Sequence, residues 1–295
     1  HWIYGTWRGN NSEFLDIYRQ DTAGGAWNNT VVANSTDEYC VIQTLPKNHT
    51  SCPNPPNGLV SYWPLDENGS NAWDHIGGNH GTPNNFEGDE KEASGKIGKS
   101  YDFDGIDDYI ELSNIDSVDP ESGNYTISAW VKTPDNGNFD WIFDGDSQTD
   151  SASSGFFSFR TQDSGELRSS NDGTSNRVYK TGTTQIDDNT WHHAVTTWNG
   201  NTDEFKLYVD GENDGGSHGD SDTVNSVDFD TIAAIGARPG DNNHYHEGSI
   251  DQIRIYNRSL SQEEIKALYH QKASLGTKET QNKINNFSEG RIINM

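Results

Sequence analysis

Apolar side chains recur along this chain in short runs separated by clusters of Gly, Asn, Asp and Ser. The run Tyr125–Lys132 alternates: Ile127, Ala129 and Val131 fall to one side, Ser128 and Trp130 to the other. That period of two is the signature of a strand with one face on a core. Similar runs occupy Leu59–Leu65, Ser100–Phe103, Tyr109–Leu112, Trp141–Phe143, Phe156–Arg160, Leu167–Ser169 and Val178–Lys180. They continue at Trp191–Trp198, Phe205–Val209, Thr231–Ala237 and Gly248–Tyr256. Phe205–Val209 leads directly into Asp210-Gly211, a hairpin turn signal. Strands at this density with no helix between them predict an all-β, two-sheet antiparallel sandwich of the jelly-roll kind. One helix is expected after the last strand. Ser261-Gln262-Glu263-Glu264 is a capping box, and Ile265, Leu268 and Tyr269 follow at helical spacing, which predicts a short C-terminal helix over 262–271.

The flanks read differently. Residues 1–52 carry β-like runs at Trp2–Trp7, Phe14–Tyr18, Thr30–Ala33 and Tyr39–Thr44, an additional N-terminal β segment too small to be stable alone. Its two cysteines, Cys40 and Cys52, suit a disulfide-closed loop, two reduced thiols being the alternative. The prolines of residues 53–58 cannot pair in a sheet and mark a linker. The sandwich domain is then 59–271. The polar, Asn-rich stretch 272–295 is either an ordered arm or a tail.

Composition narrows the function. Only 30% of the 295 residues are apolar and the mean hydropathy is −0.91, but nine Trp, twelve Tyr and eleven Phe supply large buried areas from few residues. A formal charge of −26 repels phosphate and argues against nucleic acid as a partner. It favours cations, Ca2+ above all, whose ligands are carboxylate and carbonyl oxygens; the alternative is a solvated acidic surface. No apolar stretch is long enough to span a membrane, so membrane insertion is not expected. The chain shows no signal sequence and starts at His1-Trp2-Ile3-Tyr4 as a mature or excised product would. Asn-x-Ser/Thr sequons stand at Asn10, Asn28, Asn34, Asn48, Asn68, Asn124, Asn257 and Asn286, candidate glycosylation sites of an extracellular or cell-surface protein.

Seven segments in order give the chain a resemblance. They are Gly58–Glu67 (GLVSYWPLDE), Asp74–Gly81 (DHIGGNHG), Tyr101–Ile110 (YDFDGIDDYI), Tyr125–Lys132 (YTISAWVK), Asn189–Val195 (NTWHHAV), Leu207–Gly211 (LYVDG) and Gly248–Ser261 (GSIDQIRIYNRSLS). Over roughly 58–270 the chain resembles laminin-G-like jelly-roll domains of the concanavalin A-like lectin/glucanase superfamily. The resemblance implies a calcium ion where the first and last strands meet. It would fall on Asp66 or Asp74 from the opening motif and Asp251 from the closing one, with oxygen from Asn79 in the Gly77–Gly81 loop. Asp104, Asp107 and Asp108 form a second acidic cluster, read first as a turn motif.

Other motifs carry groups with chemical potential. Glu87-Gly88-Asp89-Glu90-Lys91-Glu92 resembles the paired carboxylates of laminarinase-type glycosidases, but nothing around it alternates as a strand, so a solvated loop is expected and no catalytic residue is assigned. His192 and His193 are adjacent on a strand and point to opposite faces. His244, Tyr245 and His246, in a loop before the closing strand, and Trp141, beside a loop rim, are the candidate ligand-binding residues, with a plain turn and a core role as the alternatives. The expected function is a non-catalytic extracellular recognition or adhesion module for glycans or surface proteins. The alternatives are a structural subunit of a filament, sheath or spike, a homopolymer joined through its terminal arms, or a fragment of a glycoside hydrolase.

Overall fold

The computed structural model describes residues 56–113, 115, 123–145, 156–172, 177–219, 232–238 and 244–270, and the backbone of three strands nearer the N-terminus. The chain divides into two compact units, residues 1–55 with 271–295, and residues 56–270. In the first, β1 (Ile3–Arg8), β2 (Phe14–Arg19) and β3 (Asn28–Ala33) form an antiparallel sheet in that order. Cys40, Cys52, the Tyr39–Thr44 run, most of the 53–58 linker, the 272–295 stretch, and Asn10, Asn34, Asn48 and Asn286 lie outside the described residues.

The second unit is a sandwich of two antiparallel sheets. Sheet I contains β4 (Leu59–Trp63), β6 (Ala93–Ser94), β7 (Lys99–Asp104), β9 (Asn124–Lys132), β14 (His192–Asn199), β15 (Glu204–Val209), β16 (Glu212–Asn213) and β19 (Glu247–Tyr256). Its order is β16-β15-β14-β9-β19-β7-β6, with β4 also on β19, so the unit's first and last strands pair with each other. Sheet II contains β5 (Gly81–Asn84), β8 (Tyr109–Ser113), β10 (Trp141–Asp144), β11 (Phe156–Thr161), β12 (Glu166–Asp172), β13 (Arg177–Gln185), β17 (Ser217–Gly219) and β18 (Ile232–Ile235), in the order β17-β13-β12-β11-β10-β18-β8-β5.

Alternation decides what lies between the sheets. Ile127, Ala129 and Val131 of β9 enter the core with Trp63, Trp198, Phe143, Phe157 and Phe159, while Ser128 and Trp130 take the other face. That outer face of sheet I is itself covered in part. The helix α1 (Gln262–Tyr269) lays Ile265 and Leu268 against Val195, Tyr208, Tyr256 and Leu260. Its capping box is complete: Ser261 Oγ accepts from Glu264 N, and Glu264 Oε2 accepts from Ser261 N at 2.9 Å. The helix stops at Tyr269, two residues before the expected end, and His270 N caps onto Lys266 O. The alternation pattern does not predict β5, because Pro83 stands in it; the strand tolerates proline because it is the edge of sheet II.

Candidate functional site

Sheet II carries an aromatic and cationic corner on its outer face. Ile142 and Phe143 of β10 and Phe157 and Phe159 of β11 fill the core, which turns Ser158 and Arg160 outward. Arg160 stands directly opposite Trp141 in the β10–β11 register. Its guanidinium lies over the rings of Phe139, at 4.4 Å, and Trp141, at 4.8 Å. His244 packs on Trp141 with ring centroids 4.6 Å apart. The indole Nε1 of Trp141 donates to Asp144 Oδ2 at 2.7 Å. Trp141 is only 5% exposed, so it is the floor of the corner, and half-buried Phe139, Arg160 and His244 form its accessible rim. Asp140 stands beside them at 1% exposure, accepting from Glu247 N at 2.9 Å and Asn136 Nδ2 at 3.2 Å. Burial, reinforced by the Glu247 charge, raises the Asp140 carboxyl to about 6.

Two of the four expected ligand-binding residues, Trp141 and His244, thus meet. Tyr245 is half-buried in an isolated bridge with Ala237. His246 is fully buried edge-on to Phe103, 5.7 Å between centroids, and desolvation lowers its pKa to about 3. It faces the core and is neutral. Phe139 and Arg160 were not legible as partners, because they come from different segments and only strand pairing joins them.

The expected metal ligands fall into two separate arrangements. Asp74, 4% exposed, accepts six hydrogen bonds. Oδ1 takes the amides of Tyr62 (2.9 Å), Ile76 (2.9 Å) and Gly77 (3.1 Å). Oδ2 takes Ser61 Oγ (2.8 Å), Asn79 N (3.0 Å) and Asn79 Nδ2 (3.2 Å). Asn79 Nδ2 also donates to Ser61 Oγ at 2.9 Å, and its carbonyl accepts from Trp63 Nε1 at 2.9 Å. This carboxylate staples the 74–79 loop to β4 with its oxygens already committed.

Asp66 and Asp251 instead clamp the turn between β6 and β7 from its two ends. Asp251 Oδ2 accepts from Ile97 N at 2.9 Å, and Asp66 Oδ1 from Lys99 N at 2.6 Å. The left-handed Gly98 (φ +71°) has no room for a Cβ, which would come within 2.2 Å of Asp66 Oδ1. Asp251 is fully buried, and its Oδ1 has no hydrogen-bond partner among the described residues. Burial, then the charge of Asp66, raises its pKa well above the usual carboxylate range. An orphaned, buried, hard oxygen beside a second carboxylate is a donor set that suits a divalent cation.

Across sheet I, Asp251 pairs with Trp130, and Trp130 with His193. His193 is 1% exposed between Trp130 (5.1 Å) and Tyr269 (6.3 Å), and neither ring nitrogen has a partner among the described residues. Desolvation, with help from Arg254 and Lys96 and against Asp210, lowers its pKa to about 3. His192 takes the other face, Nδ1 2.9 Å from Asp210 Oδ2.

The remaining motifs are on the surface. Asp104, Asp107 and Asp108 bring carboxylate oxygens within 4.8 Å of one another in an open hollow of about 400 Å³ that Glu87 and Glu90 also line. Asp104 Oδ1 accepts from Ile106 N and Asp107 N, the turn geometry expected of it. Burial first, then the neighbouring carboxylates, pushes Asp108 up to about 7. Glu90–Glu92 form a 3₁₀ turn, and Glu87 is exposed in a loop. Of the described sequons, Asn68 and Asn257 are exposed, Asn124 is half-buried at the start of β9, and Asn28 begins β3. Trp73, 44% exposed and edge-on to His80 at 4.4 Å, is an accessible aromatic that sequence reasoning passed over; no periodicity marks an irregular loop.

Many solved structures resemble the chain, and those described here do so at low identity. Domain 4 of AbnA, a GH43 extracellular arabinanase from Geobacillus stearothermophilus, matches at 20% identity and TM-score 0.53, over 72% of this chain and 98% of that domain. The receptor binding domain of botulinum neurotoxin C/D mosaic serotype matches at 17% and 0.53, over 72% of this chain. This chain spans 51% of that domain's length. Trypanosoma rangeli sialidase matches at 17% and 0.55, over 81% of this chain and 37% of the enzyme. These likenesses speak to fold. Among curated proteins compared by sequence, none matches. No described helix is long and apolar enough to cross a membrane. A family model for laminin-G-type domains of the concanavalin A-like lectin/glucanase superfamily matches residues 104–266, more than half the chain. The two sheets, the paired first and last strands and this match agree: the chain belongs to the concanavalin A-like lectin/glucanase superfamily.

Proposed function

We propose that the chain is a non-catalytic extracellular recognition module that binds a glycan at the Phe139–Trp141–Arg160–His244 corner. One observation carries this reading: the rings of Phe139 and Trp141 lie against one guanidinium, and His244 from a second segment packs on Trp141, at a partly exposed end of the central strands of sheet II. Sugar rings present apolar C–H faces and peripheral hydroxyls, and aromatic planes beside fixed N–H donors answer both. The structural likeness to a domain solved in complex with arabinotriose supports the reading, since that domain is covered almost end to end. Calcium is the cofactor in this proposal. Asp66 and Asp251 would hold it, and its role is to fix the turn between β6 and β7 and to neutralise the buried charge.

Isothermal titration of the full chain against a panel of neutral and acidic oligosaccharides tests the site. Phe139→Ala is expected to weaken binding at least 10-fold while circular dichroism stays that of the parent. Equal affinity in Phe139→Ala, or silence across the whole panel, would remove the assignment.

A further inference from the structure

We infer that Trp73 and His80 form a second carbohydrate site, apart from the Phe139–Trp141 corner, on which a neutral sugar ring stacks. Trp63, Trp130, Trp141 and Trp198 are buried in the sandwich. Trp73 is 44% exposed, the one exposed tryptophan among the described residues. An indole left in water adds little to a core, and it is the side chain that contributes most when a ligand covers it.

The loop that carries this indole is pinned. Ala72 and Gly81 exchange two backbone hydrogen bonds of 2.8 Å and close its neck. Trp73 and His80 are the next residues on either side, and their rings meet edge-on at 4.4 Å. Asp74 N donates across the neck to His80 Nδ1 at 3.1 Å. His75 N donates to Tyr62 O at 2.8 Å, which ties the loop to β4. The carboxylate of Asp74 gathers the amides of Ile76, Gly77 and Asn79. Gly77 sits so close to β4 that a Cβ would come within 2.4 Å of Val60 O. A platform fixed before binding loses little entropy when a ligand arrives.

The chemistry of the pair selects the ligand. Because His80 Nδ1 accepts from Asp74 N, the ring hydrogen sits on Nε2, across an exposed imidazole. The platform therefore joins an apolar indole face to N–H donors at its rim. A sugar presents the complement, a C–H face edged by hydroxyls. The net charge of −26 disfavours an acidic ligand and so favours a neutral one. The site is distinct from the first. Gly81 opens β5 at the edge of sheet II, and Trp141 stands on β10, three strands across at about 4.8 Å each.

The test uses the full chain carrying Phe139→Ala, which removes the corner and makes the outcome independent of it. This chain is titrated calorimetrically with arabinotriose and with neutral xylo-, cello-, manno- and galacto-oligosaccharides. At least one is expected to bind. Adding Trp73→Ala is expected to weaken that binding on the order of 10-fold or more, with circular dichroism unchanged. Adding Trp73→Tyr instead, which keeps an aromatic face, is expected to hold affinity within about 3-fold. Ile76, also exposed in this loop, makes a lipid surface the rival partner, so phosphatidylcholine vesicles are sedimented with the same chains. Silence across the oligosaccharides, or binding that Trp73→Ala leaves intact, overturns the inference. Vesicle binding abolished by Trp73→Ala in a chain that takes no sugar overturns it too, and assigns the loop to lipid.

Discussion

Asp74 and Asp251 are both aspartates buried in the same unit, yet one is finished and the other is not. Asp74 receives six donors from its own loop and from β4. Asp251 accepts from Ile97 N through Oδ2, and its Oδ1 has no hydrogen-bond partner among the described residues. The orphaned carboxylate begins a row, Asp251–Trp130–His193, whose histidine is also buried without a hydrogen-bond partner for either nitrogen among the described residues. A saturated carboxylate does structural work and offers little to a ligand. A row of under-satisfied groups raises the energy of the folded state unless something outside the chain, a proton or a cation, completes it.

The largest test of this contrast is acid. His193 is held neutral, with a folded pKa of about 3 against 6.5 for the free side chain. The unfolded chain therefore gains a proton below about 6.5 that the folded chain refuses until about 3. Stability is complete above 6.5 and is lost as pH falls through that window, by on the order of 4 kcal/mol from this one group. The charged neighbours pull in both directions: Arg254 and Lys96 disfavour the proton and Asp210 favours it. Denaturant unfolding of the parent and of His193→Phe, followed from pH 7 to pH 3, is expected to diverge steadily. Parallel profiles would show that the histidine is not held neutral.

Next in size is Asp74→Ala, which strands the amides of Tyr62, Ile76, Gly77 and Asn79 and the Ser61 hydroxyl together. A loss of about 3 kcal/mol is expected, read as a lower urea midpoint. A loss under about 1 kcal/mol would mean that water replaces the carboxylate and that the staple is loose.

Much of this was legible before any coordinates, but unevenly. Alternation in Tyr125–Lys132 fixed which residues face the core, because a strand has only two faces, and the capping box at Ser261 is local chemistry that tertiary structure did not change. The candidate site was harder to read. Asp74 and Asp251 sit in equally suggestive motifs, and only the geometry of amides contributed by Tyr62 or Ile97 separates a staple from an orphan. Trp141 was placed at a loop rim, but Arg160 reaches it through a sheet register, which sequence patterns specify only by parity.

The remaining prediction asks which of the two carboxylates answers to calcium. A ligand that binds only the folded state stabilises it by about 2.7 kcal/mol at 100 times its Kd, which thermal unfolding with and without calcium detects as a rise in Tm. The parent is expected to show that rise and to lose it with chelator. Asp251→Asn keeps the size of the side chain and leaves Oδ1 an amide or carbonyl partner of lower charge, so the calcium-dependent rise should vanish. The substitution itself is expected to cost little, because a neutral side chain no longer has to be buried as an anion beside Asp66. Asp74→Asn is the counterpart: its starting Tm should fall, since an amide in that place cannot accept from all six donors, but the increment due to calcium should stay. If the increment disappears in Asp74→Asn and survives in Asp251→Asn, the saturated carboxylate is the ligand and the contrast between the two aspartates is inverted. If neither the parent nor either variant responds to calcium, the orphaned oxygen of Asp251 is satisfied by a proton, in keeping with the upward shift that its burial imposes.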